Sequence, residues 1–203
     1  MTLQEVPDIK LLWTDIETTG VDYDNDYILE MAWQVTNYLG DPLTEAQTHI
    51  TVELEKTQLE EVLERYLEAS PYVKEMHQKN GLWNEVFFGP NDSSNRRRGF
   101  YEVLDLMHDD IDSTRGESEV RLAGSSVGFD KRFIETANGG ELPISHRVHD
   151  LSTFRPFLKW QGFNLDDLAE PQKVEHRALD DIARDIAQWR NFITVLTQEE
   201  DGS

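Results

Sequence analysis

The sequence predicts an α/β fold in which helices flank a mixed, five-stranded β-sheet. Three strand-like runs come first along the 203-residue chain, and helical patterns then alternate with two further short strands. No linker long enough to divide the chain interrupts this order. We therefore expect a single domain over residues 1–203, with an ordered core at about 8–197 and a frayed tail over 198–203.

Short apolar runs that end in turn residues predict the strands. The predicted strands lie at 9–17, 27–39, 47–54, 120–123 and 147–150. The first run, IKLLWTDIE, is closed by Thr18, Thr19 and Gly20, which is typical of a buried strand ending in a turn. A Gly-Asp-Pro turn at 40–42 separates the second run from the third, so the first three strands are expected to form a meander.

Helical spacing of apolar residues predicts the remaining elements. The predicted helices lie at 58–69, at 71–79 with a cap at 80–81, and at 100–111, 128–138, 152–160 and 178–196. The intervening segment 89–99, GPNDSSNRRRG, has the composition of a loop. Strands and helices therefore alternate in the second half of the chain, which favours a sheet covered by helices.

Composition excludes several classes of site. The chain has 40 Asp and Glu against 19 Lys and Arg, a net charge of −21, and this argues against non-specific binding to duplex nucleic acid. The absence of Cys excludes disulfides, thiolate zinc sites, iron–sulfur clusters and cysteine nucleophiles, so any metal must bind oxygen or imidazole. No apolar run approaches the roughly 18 residues of a membrane span, and the N-terminus lacks signal-peptide order. We expect a cytoplasmic protein without a membrane partner.

An acidic pair ends the first predicted strand. Asp15 and Glu17 are two residues apart, so they project from one face of the strand, and their carboxylates can share a metal. An Asp-x-Glu pattern occurs about twice by chance in a chain of this composition, so the apolar context matters more than the pattern. Two charges beside a buried strand are costly unless a cation or solvent compensates them. The alternative is a strand-end pair that faces water.

Two further motifs carry acidic residues at helix starts. Asp130 follows the turn GSSVGF and lies near a helix N-terminus, where the helix dipole alone would favour an acidic residue. His176 and Asp181 form a His-x4-Asp pattern, and they converge most easily if His176 precedes the last helix and Asp181 lies in its opening turns. Pro171 fits that placement. Periodicity leaves the choice between Asp180 and Asp181 open, and a surface ion pair with His176 is the alternative.

The order of these motifs resembles the DEDDh family of 3′-to-5′ exonucleases. The three motifs are TDIETTG, GSSVGFDKRF and HRALDDIARDI. The stretches MHQKNGL and SHRVHDLST are further similar to oligoribonuclease, the branch of the family that degrades very short RNAs, and the similarity extends over about 11–192. The resemblance implies an RNase H-like fold, a homodimer and short single-stranded RNA or DNA as the binding partner.

The resemblance also implies a two-metal mechanism. Two divalent cations, Mg²⁺ or Mn²⁺, would be held by Asp15, Glu17, Asp130 and Asp181, and His176 would be the general base that accepts a proton from water. Oxygen ligands suit hard cations, and an imidazole titrates near neutrality, so the residue types agree with these roles. The implied function is a metal-dependent 3′-to-5′ exonuclease that releases nucleoside 5′-monophosphates from short single-stranded RNA.

Substrate contacts follow from the resemblance alone. It implies the following contacts: Thr18, Thr19 and Val21 around the 3′-terminal nucleotide, Tyr72 as a stacking face, and His77 and Ser126 near a phosphate. Core packing is the alternative for Val21 and Tyr72.

A partner subunit supplies a Tyr-Arg pair to the substrate's 5′ end in oligoribonucleases. Arg147 matches the Arg, whereas His146 stands at the Tyr position. Strict preference for dinucleotides is therefore not expected. The basic run at 96–98 could meet the phosphates of a longer strand, although a solvated loop is the favoured interpretation.

Two rival functions remain open from the sequence. One is an exonuclease that acts on single-stranded DNA, because a fold does not decide the substrate. The other is a non-catalytic acidic protein that imitates the charge of nucleic acid and needs no metal site.

Overall fold

The computed structural model describes residues 5–52, 56–89, 96–162 and 176–198. Within these ranges the chain forms a six-stranded mixed sheet packed between helices. The strands are β1 (Ile9–Thr18), β2 (Ile28–Asn37), β3 (Gln47–Ile50), β4 (Arg96–Arg97), β5 (Glu119–Gly124) and β6 (Val148–Asp150). The helices of these ranges are α1 (Lys56–Glu68), α2 (Pro71–Lys79), α3 (Leu82–Phe88), α4 (Phe100–Arg115), α5 (Gly128–Asn138), α6 (Leu151–Trp160) and α7 (Ala178–Gln198).

Strand β1 occupies the middle of the sheet. The strand order is β4-β3-β2-β1-β5-β6. β1 pairs with β2 in an antiparallel sense and with β5 in a parallel sense, and β6 is parallel to β5. The carboxyl ends of β1, β5 and β6 therefore meet at one edge of the sheet, which is where binding sites form in α/β folds.

The predicted α/β architecture, a mixed sheet flanked by helices, is confirmed. The meander of the first three strands is present, because β2 is antiparallel to both β1 and β3. All five predicted strands exist, and β4 adds a sixth at the edge, in the segment predicted to be a loop. A two-residue strand has no detectable alternation, so only its pairing with β3 defines it. The single-domain extent over 1–203 stays a prediction.

Helix boundaries follow the predictions with one omission. The predicted end of α2 at Asn80 is the observed C-cap, but the chain resumes immediately as α3, which the sequence analysis missed. Seven residues are too few for a helical period to stand out, and tertiary packing buries Leu82, Trp83 and Val86 of this helix. The predicted tail beyond 198 and the loop position of Pro171 lie outside the described residues.

Alternate residues of β1 pack against different helices. Leu12 and Ile16 belong to the core cluster that contains α4 and α5 side chains, whereas Leu11 and Trp13 belong to the cluster that contains the buried stripe of α7. Asp15 and Glu17 continue the second row, because side chains two apart lie on one face of a strand. The acidic pair therefore projects toward α7.

Arg97 anchors the edge strand rather than offering a charge to substrate. Its half-buried guanidinium donates hydrogen bonds to the carbonyl oxygens of Val52, Glu85 and Val86, which ties β4 to the end of α3. Burial lowers the pKa of this guanidinium from its ordinary value. For Arg97, the predictions of a phosphate contact and of a solvated side chain are both wrong.

Among the residues that the structure describes, no helix combines the length and the apolar character that crossing a membrane requires.

Replacement of Leu122 by Ala tests the central role of the sheet. Leu122 on β5 is fully buried in the cluster between the sheet and α4 and α5, so Leu122→Ala should lower the free energy of unfolding by roughly 2–5 kcal/mol. Leu67→Ala on α1 is the matched control, since that side chain is 65% exposed, and it should change stability by less than about 0.5 kcal/mol. Urea denaturation measures both; equal losses would contradict this packing.

Candidate metal centre and active site

Three carboxylates converge at the carboxyl end of β1. One oxygen each of Asp15, Glu17 and Asp181 lies within 4.8 Å of the other two. Asp15 and Glu17 project from β1 toward α7, and Asp181 lies in the first turn of α7. The structure also separates the two adjacent aspartates, because Asp180 is exposed whereas Asp181 is in the cluster. This distance lets the three carboxylates ligate one cation together.

Asp130 reaches the same end of β1 from the opposite layer of helices. It lies in the first turn of α5 and is 4% exposed. Its Oδ1 accepts a hydrogen bond of 3.1 Å from the backbone N–H of Ile16, the residue between Asp15 and Glu17. This hydrogen bond holds Asp130 next to the backbone between Asp15 and Glu17, and the negative charge of Asp130 contributes to the raised pKa of Asp15. All four predicted acidic residues therefore adjoin one segment of β1.

Burial and mutual repulsion disfavour ionisation of the cluster. Burial raises the pKa of Asp15 well above its ordinary value, and the neighbouring carboxylates raise it further. The pKa of Glu17 rises to about 9, first through burial and then through the charge of Glu30. Burial also raises the pKa of Asp130 and of Asp181, although Arg184 beside Asp181 opposes the shift. A divalent cation would relieve this repulsion, so the donor set fits a hard metal ion.

His176 lies two residues before α7, the helix that contributes Asp181 to this cluster. It is half-buried and adopts a left-handed backbone conformation with φ of 49°. The charge of His176 lowers the pKa of the Asp181 carboxyl and so opposes the effect of burial on that group. The structure thus places His176 in the segment before the helix and Asp181 in the opening turn. This arrangement places a histidine two residues before the helix whose first turn contributes Asp181 to the cluster.

Thr18, the last residue of β1, and Thr19 hold the turn that follows the strand. Thr19 is fully buried, and its hydroxyl donates to Asp26 Oδ1 at 2.8 Å and accepts from the N–H of Tyr27 at 3.0 Å. Thr18 donates its hydroxyl to the carbonyl of Gly20 at 2.6 Å. Both hydroxyl protons are therefore committed within the turn, and contacts of Thr18 and Thr19 with a nucleotide remain a prediction.

Val21 and Tyr72 are both exposed, and Val21 lines a groove that Thr19 also lines. Their exposed fractions are 75% and 66%, so the core-packing alternative for these two residues is wrong. Val21 and the turn at Gly20 line a groove of about 320 Å³, closed on its other side by Ser70 and Val73 around the start of α2. An open groove with apolar edges can accommodate a planar base.

His77 is buried against the acidic strand. It is fully buried, and its Nε2 donates to the carbonyl of Thr18 at 2.9 Å, since a carbonyl can only accept. Its Nδ1 lies 3.9 Å from Glu17 Oε2 and has no hydrogen-bond partner among the described residues. Burial lowers the pKa of His77, so its neutral form is favoured. In this conformation its imidazole faces Glu17 rather than solvent.

Ser126 lies in the turn after β5, next to Ser125, whose hydroxyl reaches Asp185, whereas Arg147 lies apart from the carboxylate cluster. Ser126 is exposed with φ of 60°, and its N–H donates to Asp150 Oδ1 at 3.0 Å. Arg147 pairs with Glu119 at the start of β5, level with Ile9 rather than with Asp15. Six residues of strand span about 20 Å, so Arg147 does not join the site of its own chain.

Asp185 is an acidic residue of the site that the sequence analysis missed. It is 4% exposed, lies one turn after Asp181 on α7, and its charge contributes to the raised pKa of Asp15. Ser125 donates to its Oδ2 at 2.6 Å, and Arg155 donates to its Oδ1 at 3.1 Å. The spacing of four residues from Asp181 could have indicated that both lie on one side of α7.

Comparison with known proteins finds relatives in one enzyme class. The chain is 29% identical over 188 residues to the mitochondrial oligoribonuclease of Bos taurus, covering 91% of this chain and 73% of that protein. It is 27% identical over 193 residues to the oligoribonuclease of Mycobacterium leprae, covering 90% of this chain and 79% of that protein. No family model matches the sequence.

Solved structures share the fold at lower identity. The zinc-bound complex of E. coli exonuclease I with single-stranded DNA aligns with a TM-score of 0.60 and 16% identity over 95% of this chain. The cell-death related nuclease CRN-4 aligns with a TM-score of 0.59 and 14% identity over 93% of this chain. The chain spans 42% of that exonuclease I chain and 66% of the CRN-4 chain.

The fold and the carboxylate cluster define a nuclease with an RNase H-like sheet. Its acidic residues come from the end of a central strand and from the first turns of two helices, and an imidazole precedes the last of these helices. The order of its motifs resembles that of the DEDDh family of 3′-to-5′ exonucleases, and oligoribonucleases are among the proteins to which the chain is similar.

The raised pKa of Glu17 predicts how stability depends on pH. Its folded value of about 9 exceeds the ordinary value of 4.5, so the folded state binds more protons between these values. Stability of the EDTA-treated protein should therefore fall as pH rises through this window. Glu17→Gln should flatten the dependence, and saturating Mn²⁺ should weaken it. Thermal unfolding at pH 5, 7 and 9 measures the slope; identical slopes for wild type and Glu17→Gln would contradict the assignment.

Proposed function

We propose that this protein is a metal-dependent 3′-to-5′ exonuclease that releases nucleoside 5′-monophosphates from short single-stranded RNA. The observation that supports this most strongly is the convergence of Asp15, Glu17 and Asp181 within 4.8 Å, with Asp130 bonded to the same strand. A non-catalytic acidic protein would gain nothing from burying four carboxylates together, because such burial is costly without a cation.

The proposal includes two divalent cations, Mg²⁺ or Mn²⁺. Asp15, Glu17 and Asp181 would hold them with Asp130, because all four offer the oxygen ligands that these ions prefer. When bound, two such ions stabilise charge on the attacking and leaving oxygens of an in-line displacement at phosphorus. The negative charge of the cluster would retain the ions. Without cations, burial and the neighbouring carboxylates raise the pKa values of Asp15 and Glu17.

The proposed role of His176 is that of general base. It precedes α7 and interacts with Asp181, so a water held at the cluster would lie within reach of its imidazole. Its imidazole would accept the proton of that water during attack on the terminal phosphodiester. His77, by contrast, is fixed by the carbonyl of Thr18, so we assign it to holding the strand end next to Glu17.

Short substrates fit the small groove beside the cluster. Val21 and Tyr72 would contact the 3′-terminal nucleotide, and contacts with an aromatic face tolerate any base, so little sequence preference is expected. Ser126 would approach a phosphate. The homodimer belongs to the proposal, with Arg147 of one protomer acting at the substrate in its partner. The cytoplasmic location remains a prediction of the sequence.

Single-stranded DNA is the second candidate substrate. The structural neighbours include exonuclease I bound to single-stranded DNA, and they share the fold of this chain. An assay with 5′-labelled di-, penta- and 20-nucleotide RNA and DNA separates the candidates. We expect 3′-to-5′ shortening with nucleoside 5′-monophosphate as product and the highest kcat/KM on the shortest RNA. Faster turnover of the 20-nucleotide DNA would favour the second candidate.

Substitution of His176 separates chemistry from metal binding. His176→Ala should lower kcat by about 10²–10⁴-fold, because it removes the proton acceptor. Its Mn²⁺ affinity, measured by isothermal titration, should stay within a few-fold of wild type. Asp15→Ala is the matched comparison, because it should abolish both activity and Mn²⁺ binding. A wild-type protein with neither nuclease activity nor Mn²⁺ affinity would sink the proposal and leave the acidic-mimic interpretation.

A further inference from the structure

His176 adopts a backbone conformation that its surroundings must enforce. Its φ of 49° lies in the left-handed region, which is unfavourable for a residue with a Cβ atom. Such a conformation persists at functional sites only when neighbouring contacts hold it. These contacts come from Arg177, Glu30, Glu85 and Asn80. None of these residues is one of the four acidic residues of the proposed metal site.

Arg177, the next residue, is held between two carboxylates from different elements. Its Nη2 lies 2.6 Å from Glu30 Oε1 on β2 and 2.8 Å from Glu85 Oε2 on α3, and its Nε donates to Glu30 Oε2 at 3.0 Å. Asn80, the C-cap of α2, donates its side-chain N–H to the carbonyl oxygen of His176. Four residues, Arg177, Glu30, Glu85 and Asn80, therefore form a clamp around the backbone of His176.

Glu30 links this clamp to the strand of the acidic pair. It is 1% exposed, it is the antiparallel register partner of Glu17, and it accepts the N–H of Ala178, the first residue of α7, at 3.1 Å. One buried carboxylate thus fixes Arg177 and the start of α7 against the sheet. A buried ion pair of this kind is weak evidence for added stability, and its role here is to fix geometry. The planar guanidinium presents a fork of donors to the two carboxylates, which a lysine ammonium group lacks.

We propose that Arg177 is a positioning residue for His176. Its ion pairs with Glu30 and Glu85, together with the Asn80 hydrogen bond, hold His176 in its left-handed conformation two residues before α7, the helix that carries Asp181 in its first turn. This inference rests on the proposed function, since it states how the general base is held in place. It predicts that the shape of the guanidinium matters as well as its charge.

A double-mutant cycle between Arg177→Lys and His176→Ala tests the inference. Arg177→Lys should lower kcat by about 10–100-fold with KM and Mn²⁺ affinity within about twofold of wild type. In the His176→Ala background the same substitution should change kcat by less than about twofold, because no imidazole remains to be positioned. Arg190→Lys on the same helix is the matched control, since Arg190 forms an exposed pair with Asp41, and it should leave activity unchanged.

Two outcomes would overturn the inference. One is an equal loss of kcat from Arg177→Lys with and without His176, and the other is loss of Mn²⁺ affinity in Arg177→Lys. Glu85→Gln repeats the test should Arg177→Lys fail to fold, because it removes one ion pair and keeps the arginine.

An NMR measurement tests the positioning of His176 independently of activity. The Cε1–H signal of His176, assigned by its absence in His176→Ala, should shift in Arg177→Lys or Glu85→Gln and stay in place in Arg190→Lys. An unmoved signal in both clamp variants would also overturn the inference. Absence of nuclease activity in the wild-type protein would refute the proposed function but would not test the clamp. The NMR result would still test whether Arg177 and Glu85 position His176.

Discussion

Electrostatic repulsion among buried carboxylates is the constraint on which the rest of the site depends. Asp15, Glu17, Asp130 and Asp181 adjoin one strand end, and burial raises the pKa of each. This repulsion lies at the end of β1, one of the two central strands of the sheet. The surrounding core is closely packed there, so the carboxylates have little freedom to move apart. Divalent cations held at such a site would remove a cost that folding has already incurred.

The sheet and its two helical layers provide the geometry. β1 directs alternate residues to opposite layers, so the acidic pair faces α7 while Leu12 and Ile16 face α4 and α5. Asp130 and Asp181 each occupy the first turn of a helix, where the helix dipole favours negative charge. Both helix starts therefore offset part of the repulsion until cations bind. Asp185, Ser125 and Arg155 then tie α7 to the turn that leads to Asp130.

Local patterns were sufficient for most of the fold and for the acidic pair on β1, whereas the assignment of Asp130 and Asp181 came from the resemblance to DEDDh exonucleases. Alternation predicted the strands and the common face of Asp15 and Glu17, and helical spacing predicted the long helices. The same patterns missed β4 and α3, because elements of two and seven residues are too short to show a period. They also misread Arg97, whose position in a basic run resembled a solvated loop although three backbone carbonyls accept its hydrogen bonds.

The sequence by itself determined the order of the motifs, the α/β class and the residue types that suit a cation, because these properties depend on neighbours a few positions apart. The motif resemblance implied Asp181, but periodicity did not separate it from Asp180, and only the tertiary structure shows Asp181 in the cluster and His77 buried against Glu17. It also decided that Arg177 bridges partners 147 and 92 residues away. These contacts depend on which strands and helices, distant along the chain, pack against each other, and local periodicity carries no information about that packing.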